Sequence, residues 1–285
     1  MLAFFRFFGI LGFLSFGFYF FSIASARAQV IPQYADWGAQ TWGRAGVGAP
    51  LSQGLEAFSN NPAGLVRQLG RASFGGQYLN LPGNGSSWSL GLIDGLQEVI
   101  GGFNFQYHDQ SPYSRQSYQL GAAYNTSYGA AGVTANIYRF AGSGAPDKGW
   151  KVSQSVGLLI PLGFGFQIGG FGQAFFDNIK ASLQAPRMAL GAAYDWPDLG
   201  RLGFQADRIF EVKNADWNYS MSAEIILQEF FVARGGYRFD NSPLKDFWTI
   251  GAGLEAPKMQ IDGFYMLSAD SSNETAWGFQ VQFLF

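Results

Sequence analysis

The chain closes on Ala276-Trp277-Gly278-Phe279-Gln280-Val281-Gln282-Phe283-Leu284-Phe285. Trp277, Phe279, Val281, Phe283 and Phe285 occupy alternate positions, with Gly278, Gln280 and Gln282 between them. In an extended strand, a period of two puts the large apolar side chains on one face and the small or amide ones on the other. One face therefore needs an apolar medium. A soluble sandwich core and a lipid bilayer both provide one, so the opposite end of the chain has to discriminate.

That end reads MLAFFRFFGILGFLSFGFYFFSIASARAQ, with Arg6 near the start, an apolar run over 7–24, and Ala26-Arg27-Ala28 before Gln29. The arrangement predicts a secretory signal peptide over 1–28, cleaved after Ala28. An uncleaved anchor helix is the alternative, because the run is long enough to span a bilayer. Beyond residue 28 the sequence has no uninterrupted run of eighteen apolar residues, which leaves the exported part without a candidate spanning helix. Yet 18% of the residues are aromatic, 13% are charged and 39 are Gly, a mixture suited to a closed sheet in lipid. Cysteine is absent, which excludes disulfides, thiolate metal sites and a lipidated amino-terminal Cys. The formal charge of −2 and the lack of any basic run argue against a nucleic-acid partner.

From residue 71 onward, short alternating segments follow one another. WSLGLID (88–94), SYQLGAAYN (117–125), RMALGAAYD (187–195), NYSMSAEIIL (218–227) and WTIGAGLE (248–255) are among the clearest. Roughly fourteen such segments can be counted, near the length a tilted strand needs to cross a membrane, although two weak ones could merge to leave twelve. The links alternate too. SADSSNET, DNSPLKD, EVKNAD, DNIKASLQAP, FAGSGAPDKG, HDQSPYSRQ and LPGNGSS are polar and longer, whereas APK, QEF, DWPD, PLG, TSYG and DGLQE are mostly shorter. Alternation of this kind distinguishes an outer rim from a periplasmic one. The expected fold is an all-β, transmembrane antiparallel barrel over 71–285 in the outer membrane of a Gram-negative bacterium; a secreted soluble β-sandwich or barrel is the competing class. Trp88, Tyr107, Trp150, Trp196, Trp217, Tyr237 and Trp277 are placed as interfacial girdles.

Residues 29–70 do not alternate. They are rich in Gly, Ala and turn formers, and a barrel of this width leaves a lumen that its own side chains cannot fill. The segment is read as a hatch, or plug, inside the bore. At WGRAGVGA followed by AFSNNPAGL, through Gly43, Gly46, Gly48, Asn61, Pro62, Ala63 and Gly64, the sequence resembles the long-chain fatty acid transporter (FadL) family and its PorV-like relatives in type IX secretion. The resemblance implies fourteen strands around an amino-terminal hatch. It implies either passive passage of a small hydrophobic compound, or a non-transporting barrel that anchors or shuttles a secreted or surface protein. The terminal alternation carried by Val281, Phe283 and Phe285 is similar to the signal read by the outer-membrane barrel assembly machinery. This chain is shorter than fatty-acid-carrying members, and its outer links are too short for their external groove, which counts against import of a hydrophobic substrate but not against the barrel.

Physical reading of the same residues adds detail. Pro62 restricts Asn61 to extended geometry, and Gly64 is expected to permit a conformation closed to other residues, so that Asn-Pro-Ala-Gly stops any helix; a plain surface turn would use the same tetrapeptide. Asp207, Glu224, Arg234, Arg238 and Glu255 fall on the lumen register, where they could pair with one another and with Arg44 or Glu56, or simply be solvated. In FGFQIGGFGQAFF the outward set loses register around Gly169 and Gly170, which predicts a bulge or kink, and the resemblance extends this to a side opening in the wall. No enzyme chemistry is expected. The one His, His108, is read as a loop residue at a strand end, and no cofactor or metal set is apparent.

Overall fold

The computed structural model describes residues 36–83, 85–110, 113–143, 149–174, 186–210, 216–228, 230–240, 246–269 and 274–285. The signal-peptide reading over 1–28, and the first residues of the expected hatch, lie outside this set. From Ala72 the chain forms fourteen strands, each antiparallel to the next, and β1 (Ala72–Leu81) pairs with β14 (Thr275–Leu284) to close a barrel. Between them run β2 (Gly85–Asp94), β3 (Val99–Gln110), β4 (Tyr113–Thr126), β5 (Gly129–Gly142), β6 (Gly149–Gly163) and β7 (Phe166–Gln173). β8 (Arg187–Trp196), β9 (Gly200–Ile209), β10 (Asn218–Leu227), β11 (Phe231–Phe239), β12 (Phe247–Ala256) and β13 (Met259–Ser268) complete it. Closure leaves no row of unpaired backbone groups, a requirement where water cannot reach them. At the seam the last residue is used, since the Phe285 N–H donates to the Ala72 carbonyl at 2.8 Å and the Ala72 N–H donates back at 3.2 Å.

Side-chain alternation sorts the two faces. On β14, Trp277, Phe279 and Phe283 are exposed on the exterior while Ala276, Gly278, Gln280 and Gln282 are buried inside. Leu120 and Tyr124 on β4, Leu190 on β8, and Trp248 and Ile250 on β12 likewise face outward. Each Leu, Ile or Phe left in water forgoes roughly 1.5–3 kcal/mol, and such residues recur on strand after strand, so the exterior is matched to lipid. Tyr237 and Trp248 meet across β11 and β12 with ring centroids 4.2 Å apart and planes tilted by 53°, and Trp88 packs on Phe105 and Tyr107.

Short links 95–98, 127–128, 164–165, 197–199, 228–230 and 257–258 share one rim with the chain's passage into β1. At the other rim, two links expected to be long are short, because β1 and β2 pair as far as Leu81 and Gly85, and β3 and β4 as far as Gln110 and Tyr113, through the polar residues on either side. His108 belongs to that extension. It sits within β3, faces the lumen and is fully buried, its Nε2 3.3 Å from the Gln110 Oε1, rather than lying in a loop.

A second expectation needs correction. β7 pairs without interruption through Gly169 and Gly170 on both sides, opposite Leu159 and Leu158 of β6 and opposite Gly191 and Leu190 of β8. No bulge forms there. Phe171 points inward by strict alternation, and the register shift of this hairpin falls between Pro161 and Gly163, beside the turn. Glycine in a strand marks either a bulge or a close backbone approach. Gly169 is the second kind, because a Cβ there would run into the Ala49 carbonyl and Pro50.

Candidate functional site in the barrel lumen

Residues 36–70 run among the inward faces of the strands. Within them lie an α-helical turn (Ala39–Gly43), a 3-10 turn (Gly54–Glu56), a second α-helical turn (Ala57–Asn60) and a 3-10 helix (Pro62–Gln68). Each is short, as expected of a stretch broken by Gly and Pro, so the packing partner rather than helix propensity holds it in place. Trp37 and Trp42 are fully buried; Trp42 stacks on Phe264 of β13 at 5.3 Å and tilts against Phe247 of β12. Arg187 and Arg238 both stand over the Trp37 ring, at 5.4 and 5.3 Å from its centroid. On the other side of the bore, Phe58 and Leu65 cluster with Ile93, Ile100 and Ala123 of β2, β3 and β4.

The Gly-rich stretch makes its turn at Ala45 and Gly46, where φ is +53° and +94°. At Gly46 a side chain is forbidden twice, by that φ and by the Trp37 ring lying against its Cα. Gly43 and Gly48 lie in the same buried run, Gly43 against Gly251 of β12.

Asn61, Pro62, Ala63 and Gly64 are all buried. Asn61 is extended, at φ −158° and ψ 103°, as Pro62 demands. Its Oδ1 accepts from the Ala63 N–H at 3.1 Å, and its Nδ2 donates to the Ala49 carbonyl and to the Leu158 carbonyl of β6. The tetrapeptide ends one helical turn but starts another, with Pro62 at the first position of the 3-10 helix, where its missing N–H costs nothing. Gly64 does not need positive φ; a Cβ there would meet the Ser52 backbone.

The charged residues form two groups of contacts, one around Arg44 and Arg234 and one around Arg238. Arg44 donates to Glu56 at 3.2 Å, to the Leu51 carbonyl at 3.1 Å and to Gln40 at 3.0 Å, and its Nε faces Glu224 of β10. Glu56 also accepts from the Thr41 N–H and hydroxyl, each at 2.8 Å. Arg234 of β11 bridges Glu224 at 3.4 Å, Glu255 at 2.8 Å and Asp262. Arg238 grips Asp207 with two bonds of 2.7 and 2.9 Å and reaches Asp240 at 2.7 Å. Burial pushes the Glu56 carboxyl above its ordinary range, against the pull of Arg44 and Thr41. Burial, helped by Arg201 and Arg44, brings the Arg67 guanidinium down to about 10; it stays charged at neutral pH and donates to the Pro50 carbonyl and Gln167, each at 2.9 Å.

Several contacting residues were not singled out from sequence. Asp262 accepts from Gln40 at 2.8 Å; Arg115 pairs with Asp36; and Gln205 of β9 accepts from the Gly48 and Ala49 N–H groups at 3.0 and 2.7 Å. The available signal for Asp262 was an acid on the lumen register of MQIDGFYMLS. Val281 and Phe283 lie on the outward side of β14 at its β1 seam, and Phe285 follows the strand, exposed and paired with Ala72; all three are away from this site. Among the described residues no group of three or more His, Cys, Asp or Glu could hold a metal ion, and no helix is long and apolar enough to cross a membrane.

Comparison with known proteins places this geometry. No protein-family model matches the chain, and no curated protein matches it in sequence. Among solved structures, the Pseudomonas putida toluene transporter TodX superposes with a TM-score of 0.67 at 10% identity, over 87% of this chain and 96% of that one. The Ralstonia pickettii toluene transporter TbuX gives 0.65 at 12% identity, over 87% and 97%. The Acinetobacter baumannii outer membrane protein Omp33 gives 0.50 at 11% identity, over 75% and 98%. The chain shares the fold of these two toluene transporters, a closed fourteen-strand barrel.

Proposed function

We propose that the protein is an outer-membrane conduit that lets a small hydrophobic compound pass down its gradient, with residues 29–70 acting as the hatch. The observation that carries this reading is the combination of a closed fourteen-strand barrel with a buried segment crossing its bore, in the fold of two toluene transporters. No step calls for a catalytic group. The chain's own residues hold the segment, exclude bulk water from its contacts and present the lumen wall to a solute. Export through a signal peptide cleaved after Ala28, and insertion directed by Val281, Phe283 and Phe285, belong to the same proposal.

The test is uptake of a graded series of alkylbenzenes by liposomes whose outer leaflet is lipopolysaccharide, with and without the purified protein. Passage predicts faster entry with protein, saturating with concentration. Equal rates would remove the conduit reading.

One observation favours a second reading, a sealed barrel that anchors or shuttles a secreted protein. Arg44, Glu56, Glu224, Arg234 and Asp262 tie the segment to the wall through buried ion pairs, and a lock of that kind suits a lumen that never opens. A barrel that copurifies stoichiometrically with one exported protein, and conducts no probe, would decide for it.

A further inference from the structure

The rim of short links, which the alternation of link lengths assigns to the periplasm, carries a side chain that the fold itself does not explain. Phe164 is 97% exposed in the two-residue turn that joins β6 to β7. Phe164 and Gly165 have φ of +51° and +82°, and positive φ at both central positions is the mark of a primed hairpin turn. Asn-Gly supplies that geometry readily, whereas a bulky residue at positive φ is strained. Phe164 thus carries two costs, backbone strain and a ring left outside the fold, and the hairpin needs neither.

The surroundings of the turn show what offsets them. From Val156 to Ile168 every outward position of the hairpin is large, apolar and exposed: Val156, Leu158, Ile160 and Leu162 on β6, then Phe166 and Ile168 on β7. No charged residue occurs between Lys151 and Asp177. Along this hairpin the lipid-facing band therefore runs onto the turn with no polar collar. On the β5 side the ladder ends at Ala130 and Leu159 while β6 continues to Gly163, so the tip stands clear of the neighbouring turn. On the β8 side the Phe166 ring lies 4.6 Å from Tyr194, and Tyr194 lies 6.3 Å from Trp196, an aromatic run along the rim. Tyr128 is 83% exposed in the β4–β5 turn, and Leu199 is exposed in the β8–β9 turn beside one acid, Asp198. Elsewhere on this rim the described link residues are mixed. Leu96 stands beside Gln97 and Glu98, Phe230 near Gln228, and the β12–β13 link is Pro257-Lys258.

We propose that the β6–β7 turn, flanked by Tyr128 and Leu199, is a one-sided membrane anchor that enters the inner leaflet and binds phospholipid at the boundary of headgroup and acyl chain, while the β12–β13 turn opposite stays in water. Aromatic and apolar side chains are favoured at that boundary, so lipid contact offsets both costs of Phe164. A rim held on one side tilts the barrel toward β6 and β7. The inference holds for a conduit and for a sealed barrel alike, and needs only that the barrel lies in lipid.

Because the chain has no Cys, one introduced thiol carries one label. The full protein, folded into vesicles of phosphatidylethanolamine and phosphatidylglycerol, takes a nitroxide at F164C, Y128C, K258C or L190C in turn. Collision with oxygen, which concentrates in lipid, against collision with an aqueous nickel chelate reads the depth of each. F164C should lie about 5–10 Å into the boundary, as interfacial apolar segments do, and K258C should lie in water. Y128C should also report lipid, and keeps the reading available should F164C fail to fold. L190C, on the exterior of β8, checks insertion itself. F164C and Y128C in water with L190C in lipid would overturn the anchor and leave the membrane barrel standing. Lipid contact at K258C as deep as at F164C would overturn its one-sidedness. A label at residue 164 shielded from both oxygen and nickel would mean a protein contact and overturn the lipid assignment. L190C in water would remove the membrane reading and this inference together.

Discussion

The buried segment meets two kinds of wall. Along β9 to β13 it is tied by polar groups: Gln205 accepts two of its backbone N–H groups, Glu224 faces Arg44, the Thr249 hydroxyl donates to the Gly43 carbonyl at 3.2 Å, and Asp262 holds Gln40. Along β3 to β8 polar ties are present too, from Gln119 to Ser59, Asn61 to the Leu158 carbonyl and Arg67 to Gln167, but the close fit there is against glycine on every strand. A Cβ would strike Phe58 from Gly102 or Gly121, Pro62 from Gly132 or Gly157, and Pro50 from Gly169 or Gly191. Charged contacts fix where the segment sits and how it is turned, because a misplaced guanidinium leaves several buried carboxylates unmatched. Glycine contacts set only distance. They allow backbone to lie on backbone, and they make the fit depend on what is missing from the wall rather than on what is present.

If that division is right, the two walls fail differently under mutation. The largest effect belongs to Arg44. R44A leaves Glu56 buried with no cation and Glu224 with one fewer, and removing one partner of a buried pair costs about 3–5 kcal/mol. The strand ladder does not include residue 44, so the barrel should still form and still shift on a heat-modifiability gel, while single-channel conductance in a planar bilayer rises. Unchanged conductance would place the restraint elsewhere and blur the contrast between the walls. G157V works on the opposite wall by insertion. Its side chain would run into the Asn61 Oδ1 and the Pro62 ring, and overpacking of that kind costs about 1–3 kcal/mol. A lower urea midpoint with little change in conductance is the expected signature, because the charged wall still holds the segment.

How much of this was written in the sequence follows the same division. The barrel was legible because period two is local, and each of Leu120, Leu190 and Ile250 declares its face from its immediate neighbours. The lumen register of Glu224, Arg234 and Arg238 came from the same pattern, but their partners did not. Asp262 is 28 positions from Arg234, and nothing in either segment marks the other. Asn61 and Pro62 announced a break, as their chemistry requires, yet whether that break faces solvent or Gly157 depends on strands almost a hundred residues away. The sequence places His108 in a loop at a strand end, where a polar residue is normally solvated, whereas in this fold the inside of the wall is the polar side.

The smallest effect separates the two readings of a glycine pair. Gly169 and Gly170 are adjacent on β7 and equally paired with both neighbouring strands, so any account based on strand flexibility or a kink treats them alike. The contact account does not. Gly169 faces inward, where an added methyl would collide with the Ala49 carbonyl and the Pro50 Cα, and backbone cannot swing aside as a side chain can. Gly170 faces outward, where the nearest atom is a Leu190 methyl at 3.0 Å, at the mobile end of a lipid-facing side chain. G169A should therefore lower the urea midpoint by the equivalent of roughly 1–2 kcal/mol, as small-to-large changes in packed sites do, while G170A should stay within about 0.5 kcal/mol of wild type. Equal effects from the two substitutions would restore the kink as the reason for both glycines. Unequal effects in the stated order would tie Gly169 to the segment it touches, since the two positions differ chiefly in which face of the wall they serve.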